Sequence, residues 1–181
     1  PGNHNLQNLL LATAASRKAG LSATAIKESI KSFSGIPHRL ENLGKIGTIS
    51  IFNDSKATNY ESAKMGLMAV ESPTIVIAGG RAKAGDPSQW IEEINNKACG
   101  IILFGECRTQ LRDAIISKGF QGKVQCCQCL EEGVDLAVTI GLDSNAKSLL
   151  FSPACSSFDQ YKDYESRGDS FRELISPFIS K

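Results

Sequence analysis

The apolar run TISIF, residues 48–52, leads without a break into NDSKATNYESA, residues 53–63. A chain that leaves a buried strand and at once presents Asp54, Ser55, Lys56 and Thr58 ahead of a helical pattern is not burying those groups for their own sake. Where strands are each followed by helices, ligands gather at the carboxyl ends of the strands, because the helix N-termini aim unpaired N–H groups at that edge. The stretch therefore predicts one strand-to-helix unit of an open sheet, with something polar held at its exit.

The rest of the chain repeats that unit. Residues 49–52, 74–78, 101–104, 124–127 and 148–151 are apolar runs, followed by helical patterns at 61–70, 87–97, 109–118, 130–140 and 170–179. Near-continuous apolar strands alternating with helices predict an α/β fold, a mostly parallel, Rossmann-like sheet flanked by helices on both faces. Just upstream, residues 40–46 and 48–53 bend at Gly47 as a hairpin entering the sheet. The opening is different in kind. Residues 6–18, apolar at Leu9, Leu10, Ala12, Thr13 and Ala15, read as a buried helix closed by Gly20, and residues 22–33 as a second helix with Ser22 as its N-cap. Two parts are expected, a helical piece over 1–36 and a sheet domain over 37–181.

Composition narrows the partners. The 181 residues are 41% hydrophobic and 22% charged, enough for one domain with a real core, and 20 Lys+Arg against 19 Asp+Glu leave a net charge of +1. No global field draws such a chain to nucleic acid or anionic lipid, so a charged ligand must be met locally. No apolar run approaches the roughly 18 residues of a membrane span, and the opening PGNHNLQ lacks the basic and apolar regions of an export signal, so the cytoplasm is expected. The 6 cysteines are then expected as thiols. The cluster CCQC at 126–129 invites zinc, yet strand alternation sends Cys126 and Cys127 to opposite faces and no second Cys/His pair lies at ligand spacing, so no metal site is expected.

Polar residues collect at three strand exits: NDSKATN (53–59), GGRAKAGDPS (79–88) and SPACSSFDQYKDYESRGDS (152–170), whereas GECRTQ and QCLEEG are shorter and plainer. Part of this is helix capping. Thr58 with Glu61 and Ser170 with Glu173 have capping-box spacing, and Asp86 before Pro87 makes an N-cap and first-turn pair. Capping leaves Lys56 and Lys83 unexplained, since a cation near a helix N-terminus is disfavoured by about 0.3 to 1 kcal/mol. Either they are solvated surface lysines or they share an anion with that helix end. Pro37-His38-Arg39-Leu40-Glu41 lies at the junction of the two parts, where Arg39 either offers its planar fork to a phosphate or bridges to Glu41. Asn5 serves as a helix cap or faces a ligand, with Asn8 one turn on. Neither GxxxxGK[ST] nor a GxGxxG after the first strand occurs, so a self-contained nucleotide enzyme is not expected.

Five motifs together resemble the carboxyl-terminal portion of the Mur ligases, in the branch that adds D-glutamate: GNHNLQN (2–8), PHRLE (37–41), NDSKATN (53–59), GGxxK (79–83) and LFSPACSSFDQYKDYExRG (150–168). The resemblance covers essentially the whole chain. The first two motifs occur more loosely in the wider Mur and folylpolyglutamate synthase superfamily, while the NDSKATN and SPACSSFDQYKDYExRG stretches are more specific. It implies a fragment: residues 1–36 as the final helices of a central ATPase domain, residues 37–181 as the complete carboxyl-terminal domain that receives the incoming amino acid. The nucleotide-gripping amino-terminal domain, the P-loop and the magnesium-associated modified lysine would lie outside it.

The implied reaction uses ATP and Mg2+ to phosphorylate the alanyl carboxylate of UDP-N-acetylmuramoyl-L-alanine, after which the amine of D-glutamate displaces phosphate to form an amide. By the same resemblance Thr58, Lys83, Ser157 and Tyr164 receive the carboxylates of D-glutamate, Tyr164 standing where other members carry phenylalanine. Asn5 and Asn8 approach the adenine, His38, Arg39 and Asp54 the remainder of the nucleotide, and Lys56 the reacting phosphates as the catalytic cation. The implied partners are these small molecules, with no nucleic acid and no membrane, and the implied state is a monomer. Two other readings stay open: a non-enzymatic Rossmann-like module that binds a carboxylate or a protein, and a folylpolyglutamate-type ligase, against which the NDSKATN loop argues.

Overall fold

The computed structural model describes residues 3–33 and 35–179, with side chains from residue 6 onward. Residues segregate into two compact units, Pro1–Ile36 and Pro37–Lys181.

The first unit is a helical pair, α1 (Asn3–Lys18) and α2 (Ala23–Ser32). Gly20, at φ 89°, makes the reversal between them, and the Ser22 hydroxyl accepts from the Ala25 N–H at 3.1 Å, the cap its sequence position predicts. The expectation of a buried α1 is corrected: Leu10 is 61% and Leu11 71% exposed, and Ile26 is the buried residue of α2. Two helices alone enclose too little volume to cover an apolar face. The helix also begins at Asn3, so Asn5 falls inside its first turn rather than at the cap.

The second unit is a sheet of 6 strands in the order β1-β2-β6-β3-β4-β5. The strands are β1 (Glu41–Ile46), β2 (Ile49–Asn53), β3 (Thr74–Gly79), β4 (Ala98–Phe104), β5 (Lys123–Cys126) and β6 (Ser148–Ala154); β1 runs antiparallel to β2 and the other pairings are parallel. All residues of β3 and β6 are buried, which is why both read as unbroken apolar runs rather than as alternation. The helices between strands are α3 (Tyr60–Met68), α4 (Ser88–Lys97), α5 (Arg108–Ser117) and α6 (Leu130–Asp143), and α7 (Tyr164–Ile175) follows the last strand.

Strand alternation divides the core into two layers. Val76, Ala78, Ile101 and Leu103 meet Leu67, Trp90, Ile94, Leu111 and Ile115 of α3, α4 and α5. Ile75, Ile77, Ile102 and Phe104 meet Leu130, Val134, Ala137, Phe171 and Ile175 of α6 and α7. Within the second layer Phe151 stacks on Phe171 with ring centroids 4.5 Å apart. Burial of each such ring is worth about 2 to 3 kcal/mol.

Strand β6, last in sequence, inserts between β2 and β3, and this insertion creates the shared edge. In register, Asn53 pairs with Phe151 and Phe151 with Ile77, so three strands reach the same edge at nearly the same level. Their exits are the three polar loops. The helices after β2 and β3 pack on one face and the helix after β6 on the other, so the chain parts at this point, the place where sheets of this kind hold ligands.

Helix starts depart from the sequence expectation in three places. Asn59, not Thr58, caps α3, accepting from the Ser62 N–H at 2.8 Å. The Asp86 carboxylate accepts from the Ser88 N–H at 2.9 Å, so α4 begins just after Pro87. The largest shift is in α7, which begins at Tyr164 with Asp163 as its cap, leaving Ser170 and Glu173 in the helix interior. Asp163 accepts from the Ser166 N–H at 2.6 Å, and an aspartate in extended backbone is as strong a cap as a serine.

Candidate functional site

Asn53, the last residue of β2, organises the first loop. Its carbonyl oxygen accepts from the Ser55 N–H at 3.2 Å, and its amide donates to the Gly168 carbonyl at 3.0 Å and lies 3.1 Å from His38 Nδ1. A proton donated to Nδ1 leaves the ring proton on Nε2, which faces Asp169 Oδ1 at 3.6 Å. His38 is itself buried and held at φ 60°, its carbonyl accepting from the Lys56 N–H at 2.9 Å. The turn before β1 and the loop after β2 are thereby one structure.

Asp54 turns inward and is 6% exposed. Oδ1 accepts from the Leu40 N–H at 3.0 Å and Oδ2 from the Ser152 hydroxyl at 2.9 Å, so the carboxylate ties the turn that carries Arg39 to β6. Burial raises its pKa to about 6, the two hydrogen bonds partly offsetting the desolvation. A carboxyl raised in the folded state favours folding most below its unfolded value of about 4, and that contribution is lost as pH rises through 6. Relative to Asp54→Asn, the parent chain is expected to lose about 2 to 3 kcal/mol of stability between pH 4 and pH 7. Urea denaturation of both proteins at the two pH values measures this, and a stability gap that does not change with pH would show that Asp54 ionises as freely as in the unfolded chain.

Of the remaining predicted residues, Arg39 is exposed, and Glu41, the alternative partner weighed for it, is taken by Arg172, whose Nη2 lies 3.0 Å from both carboxylate oxygens. Lys56 is exposed with Nζ 3.0 Å from the Tyr164 hydroxyl, and the Tyr164 carbonyl accepts from the Ser55 hydroxyl at 2.8 Å. Lys83 reaches out of the second loop to Thr58 of the first, Nζ to Oγ1, at 3.4 Å. Ser157 is 2% exposed and its carbonyl accepts from the Gln160 and Tyr161 N–H groups, a tight turn at the mouth of β6. Asn8 is exposed on α1 in the first unit, while the Asn5 side chain lies outside the described residues.

The second and third loops are clamped to each other. Arg81 and Ser156 exchange backbone hydrogen bonds at 3.0 Å in both directions, and the Ser156 hydroxyl donates to the Arg81 carbonyl. Such closeness requires the glycine pair: a side-chain carbon at Gly79 would sit 2.0 Å from the Phe104 carbonyl oxygen and one at Gly80 2.3 Å from the Ser156 carbonyl oxygen. The clamp stands two residues from Lys83 and one from Ser157. Lys83, Thr58 and Ser157 thus belong to three loops that touch, at one edge of the sheet.

The exit of β4, which looks plain in sequence, is part of the same rim. Asp159 accepts from the Glu106 N–H at 3.0 Å, Glu106 pairs with Arg81 at 3.0 Å, and the thiols of Cys107 and Cys155 lie 3.2 Å apart in the core beneath. Hydrogen bonding within that pair draws Cys107 below the ordinary thiol value and pushes Cys155 above it. Sequence reading assigned no individual role to Asn53, nor to Arg167, which it counted only among the polar residues of the third loop. The signal for Arg167 was available in the spacing of Arg167, Phe171 and Ile175, one face of a helix, once α7 is started at Tyr164. Among the described residues no group of three or more His, Cys, Asp or Glu side chains is arranged to hold a metal ion, and no helix is long and apolar enough to cross a membrane.

An edge that presents lysines, hydroxyls and backbone donors without a metal cluster suits a small, multiply charged anion. No family model matches the chain. Among curated proteins it is 52% identical over 180 residues to the UDP-N-acetylmuramoylalanine--D-glutamate ligase of Prochlorococcus marinus (strain MIT 9313), a match covering 99% of this chain and 39% of that protein. The protein of the same name from Crocosphaera subtropica (strain ATCC 51142 / BH68) is 42% identical, again over 99% of this chain and 39% of its own length. The chain thus spans about two fifths of the curated relatives it matches. In fold it is similar to UDP-N-acetylmuramate-alanine ligase MurC from Thermotoga maritima, with a TM-score of 0.67 at 16% identity over 98% of this chain and 39% of that one. Mycobacterium tuberculosis folylpolyglutamate synthase, solved with ADP and AMPPCP, gives 0.69 at 15% identity over 99% of this chain and 41% of that one. Over nearly its whole length, then, the chain matches the carboxyl-terminal part of the UDP-N-acetylmuramoylalanine--D-glutamate ligases.

Proposed function

We propose that the chain is the amino-acid-receiving part of an ATP-dependent ligase that joins D-glutamate to UDP-N-acetylmuramoyl-L-alanine, a step of peptidoglycan precursor synthesis. The observation that carries this reading is the bridge from Lys83 Nζ to Thr58 Oγ1 at 3.4 Å, made across two strand exits beside the Arg81 and Ser156 clamp. A dianionic amino acid needs two groups of donors at fixed separation, and Lys83, Thr58, Ser157 and Tyr164 lie on the three loops that this topology gathers.

In this reading residues 1–36 are the last helices of an ATPase domain and residues 37–181 the domain that receives the incoming amino acid. A carboxylate is a poor electrophile until one oxygen leaves as phosphate, and ATP with Mg2+ supplies that phosphoryl group. The D-glutamate nitrogen then forms the new C–N bond, the C–O bond to phosphate breaks and phosphate leaves, and the free amine loses one proton while the amide keeps the other. What this chain contributes is position. Lys83 and the hydroxyls hold the carboxylates so that the free amine points away from the sheet edge, which converts a collision into a held geometry. Lys56, exposed beside Tyr164, is assigned to the transferring phosphoryl group, where a fixed cation is worth a few kcal/mol. Arg39, with the His38 turn and Asp54 behind it, is assigned to the nucleotide; Asp54 acts there through the Leu40 backbone it holds. Asn5 and Asn8 are assigned to adenine. Mg2+ is assigned no ligand on this chain.

Titration of the isotope-labelled chain with D-glutamate and, separately, L-glutamate tests the site directly. Amide shifts at Thr58, Lys83 and Ser157 are expected with the D enantiomer and much smaller ones with the L. Unmoved amides at those three positions, or equal responses to the two enantiomers, would overturn the reading.

A further inference from the structure

Arg167 is fully buried, at 0% exposure, and its guanidinium bonds the first and third loops. Nε donates to the Ser55 hydroxyl at 3.1 Å, Nη2 to the Ser55 carbonyl at 2.8 Å, and Nη1 to the Cys155 carbonyl at 3.0 Å. The second loop passes nearby without a bond to it: a side-chain carbon added at Gly80 would come within 3.2 Å of Nη1. All three acceptors are neutral. Arg81, Arg112 and Arg172 are paired with carboxylates, while among the described residues none lies within ion-pair distance of Arg167. Burying a guanidinium without a counter-ion is costly, and a neutral side chain of similar length would fill the same space without that cost.

We propose that Arg167 is a positioning residue of the amino-acid site: it ties the loops after β2 and β6 together beside the loop after β3 and holds a positive charge with no direct ion-pair partner behind them for a dianionic substrate. This rests on the proposed roles of Thr58, Lys83 and Ser157. Ser55 is three residues from Thr58, Gly80 three from Lys83, and Cys155 two from Ser157, so the first and third loops are bonded, and the second approached, near the residue assigned to the ligand. The charge is of use there because a dry interior weakens its field less than water would. Burial lowers the guanidinium to about 10, which leaves it protonated at neutral pH. The ionisable groups that face it are Cys155, Asp159 and Tyr161. Asp159 favours the charged guanidinium from a distance while it accepts from the Glu106 N–H, and it makes no ion-pair contact with Arg167.

The test uses the full-length ligase carrying this chain, with steady-state kinetics of Arg167→Met, Arg167→Lys and Lys83→Ala. Arg167→Met is expected to raise the KM for D-glutamate about tenfold or more while the KM for ATP stays within about twofold, the pattern of one lost charge rather than of a loosened fold. Arg167→Lys keeps the charge, so it is expected to recover most of the loss at pH 7. A buried ammonium titrates well below its solution value, so its D-glutamate KM is further expected to climb between pH 7 and pH 9 more steeply than that of the parent enzyme. That pH signature holds even if Arg167→Met does not fold. A D-glutamate KM unmoved in both Arg167 variants while Lys83→Ala raises it would reduce Arg167 to a structural staple, as would an Arg167→Lys enzyme with the parent's pH profile. If Lys83→Ala leaves the KM unchanged as well, the site reading itself fails and this inference falls with it.

Discussion

Replacing Lys83 by alanine in the full-length ligase is expected to raise the KM for D-glutamate about 30- to 150-fold, the equivalent of the roughly 2 to 3 kcal/mol carried by a hydrogen bond to a charged group. Lys83 is exposed and spends its ammonium on Thr58 at 3.4 Å, a long contact for so strong a donor. An arriving carboxylate offers it a charged acceptor in place of a neutral one. The lysine acts on a carboxylate that takes no part in bond making, so its contribution is equal in the ground and transition states, and kcat is expected to change far less than KM. Thermal stability should stay within about 0.5 kcal/mol of the parent, because an exposed side chain with one weak contact supports little of the fold. Steady-state kinetics with ATP and the nucleotide substrate held saturating gives the answer. A D-glutamate KM within twofold of the parent would remove Lys83 from the site.

Gly79→Ala should be the most damaging small change in the sheet. Gly79 ends β3 at φ 137°, a conformation that L side chains rarely adopt, and its added carbon would lie 2.0 Å from the Phe104 carbonyl oxygen. That oxygen belongs to a buried strand backbone and also accepts from the Gly80 N–H at 3.2 Å, so no flexible side-chain end can move aside. Either β4 shifts or the ladder between β3 and β4 opens at its last rung. The combined strain and lost pairing should cost about 4 kcal/mol, which for a chain of this size lowers the melting temperature by about 10 °C. Circular dichroism melts of the two chains compare them directly. A midpoint unchanged to within about 3 °C would mean that the loops after β3 and β4 are not pressed together as described.

Both predictions draw on residues that the sequence singles out for different reasons. Lys83 stood out because a cation sits badly near a helix N-terminus, whereas Gly79 entered only as the first residue of the GGxxK motif. The strands were legible for a simple reason: a segment buried on both faces must be apolar throughout, and β3 and β6 are. Helix starts were less legible. Asp163, Asn59 and Ser170 are all acceptable caps in isolation, and a capping box at Ser170 competes on equal terms with an aspartate seven residues earlier until Arg167 and Phe171 are seen to be buried. The buried reading of α1 failed because apolar spacing reports that a face is suited to burial and says nothing of what covers it.

The pairing of Glu41 with Arg172 rather than Arg39 shows a further limit, since the two partners are 131 residues apart and chain proximity favoured the wrong one. The same holds for Asn53 and Arg167, whose partners lie 115 and 112 residues away.

By itself the sequence determined the alternation of strands and helices, the polar character of three strand exits and the residue types available there, because periodicity and loop composition are local properties. Tertiary structure alone decided that β6 enters between β2 and β3, that the three exits therefore share one edge, and that an unpaired arginine stands behind them. Strand order is settled by which buried faces fit together across the whole sheet, and no stretch of chain carries that information on its own.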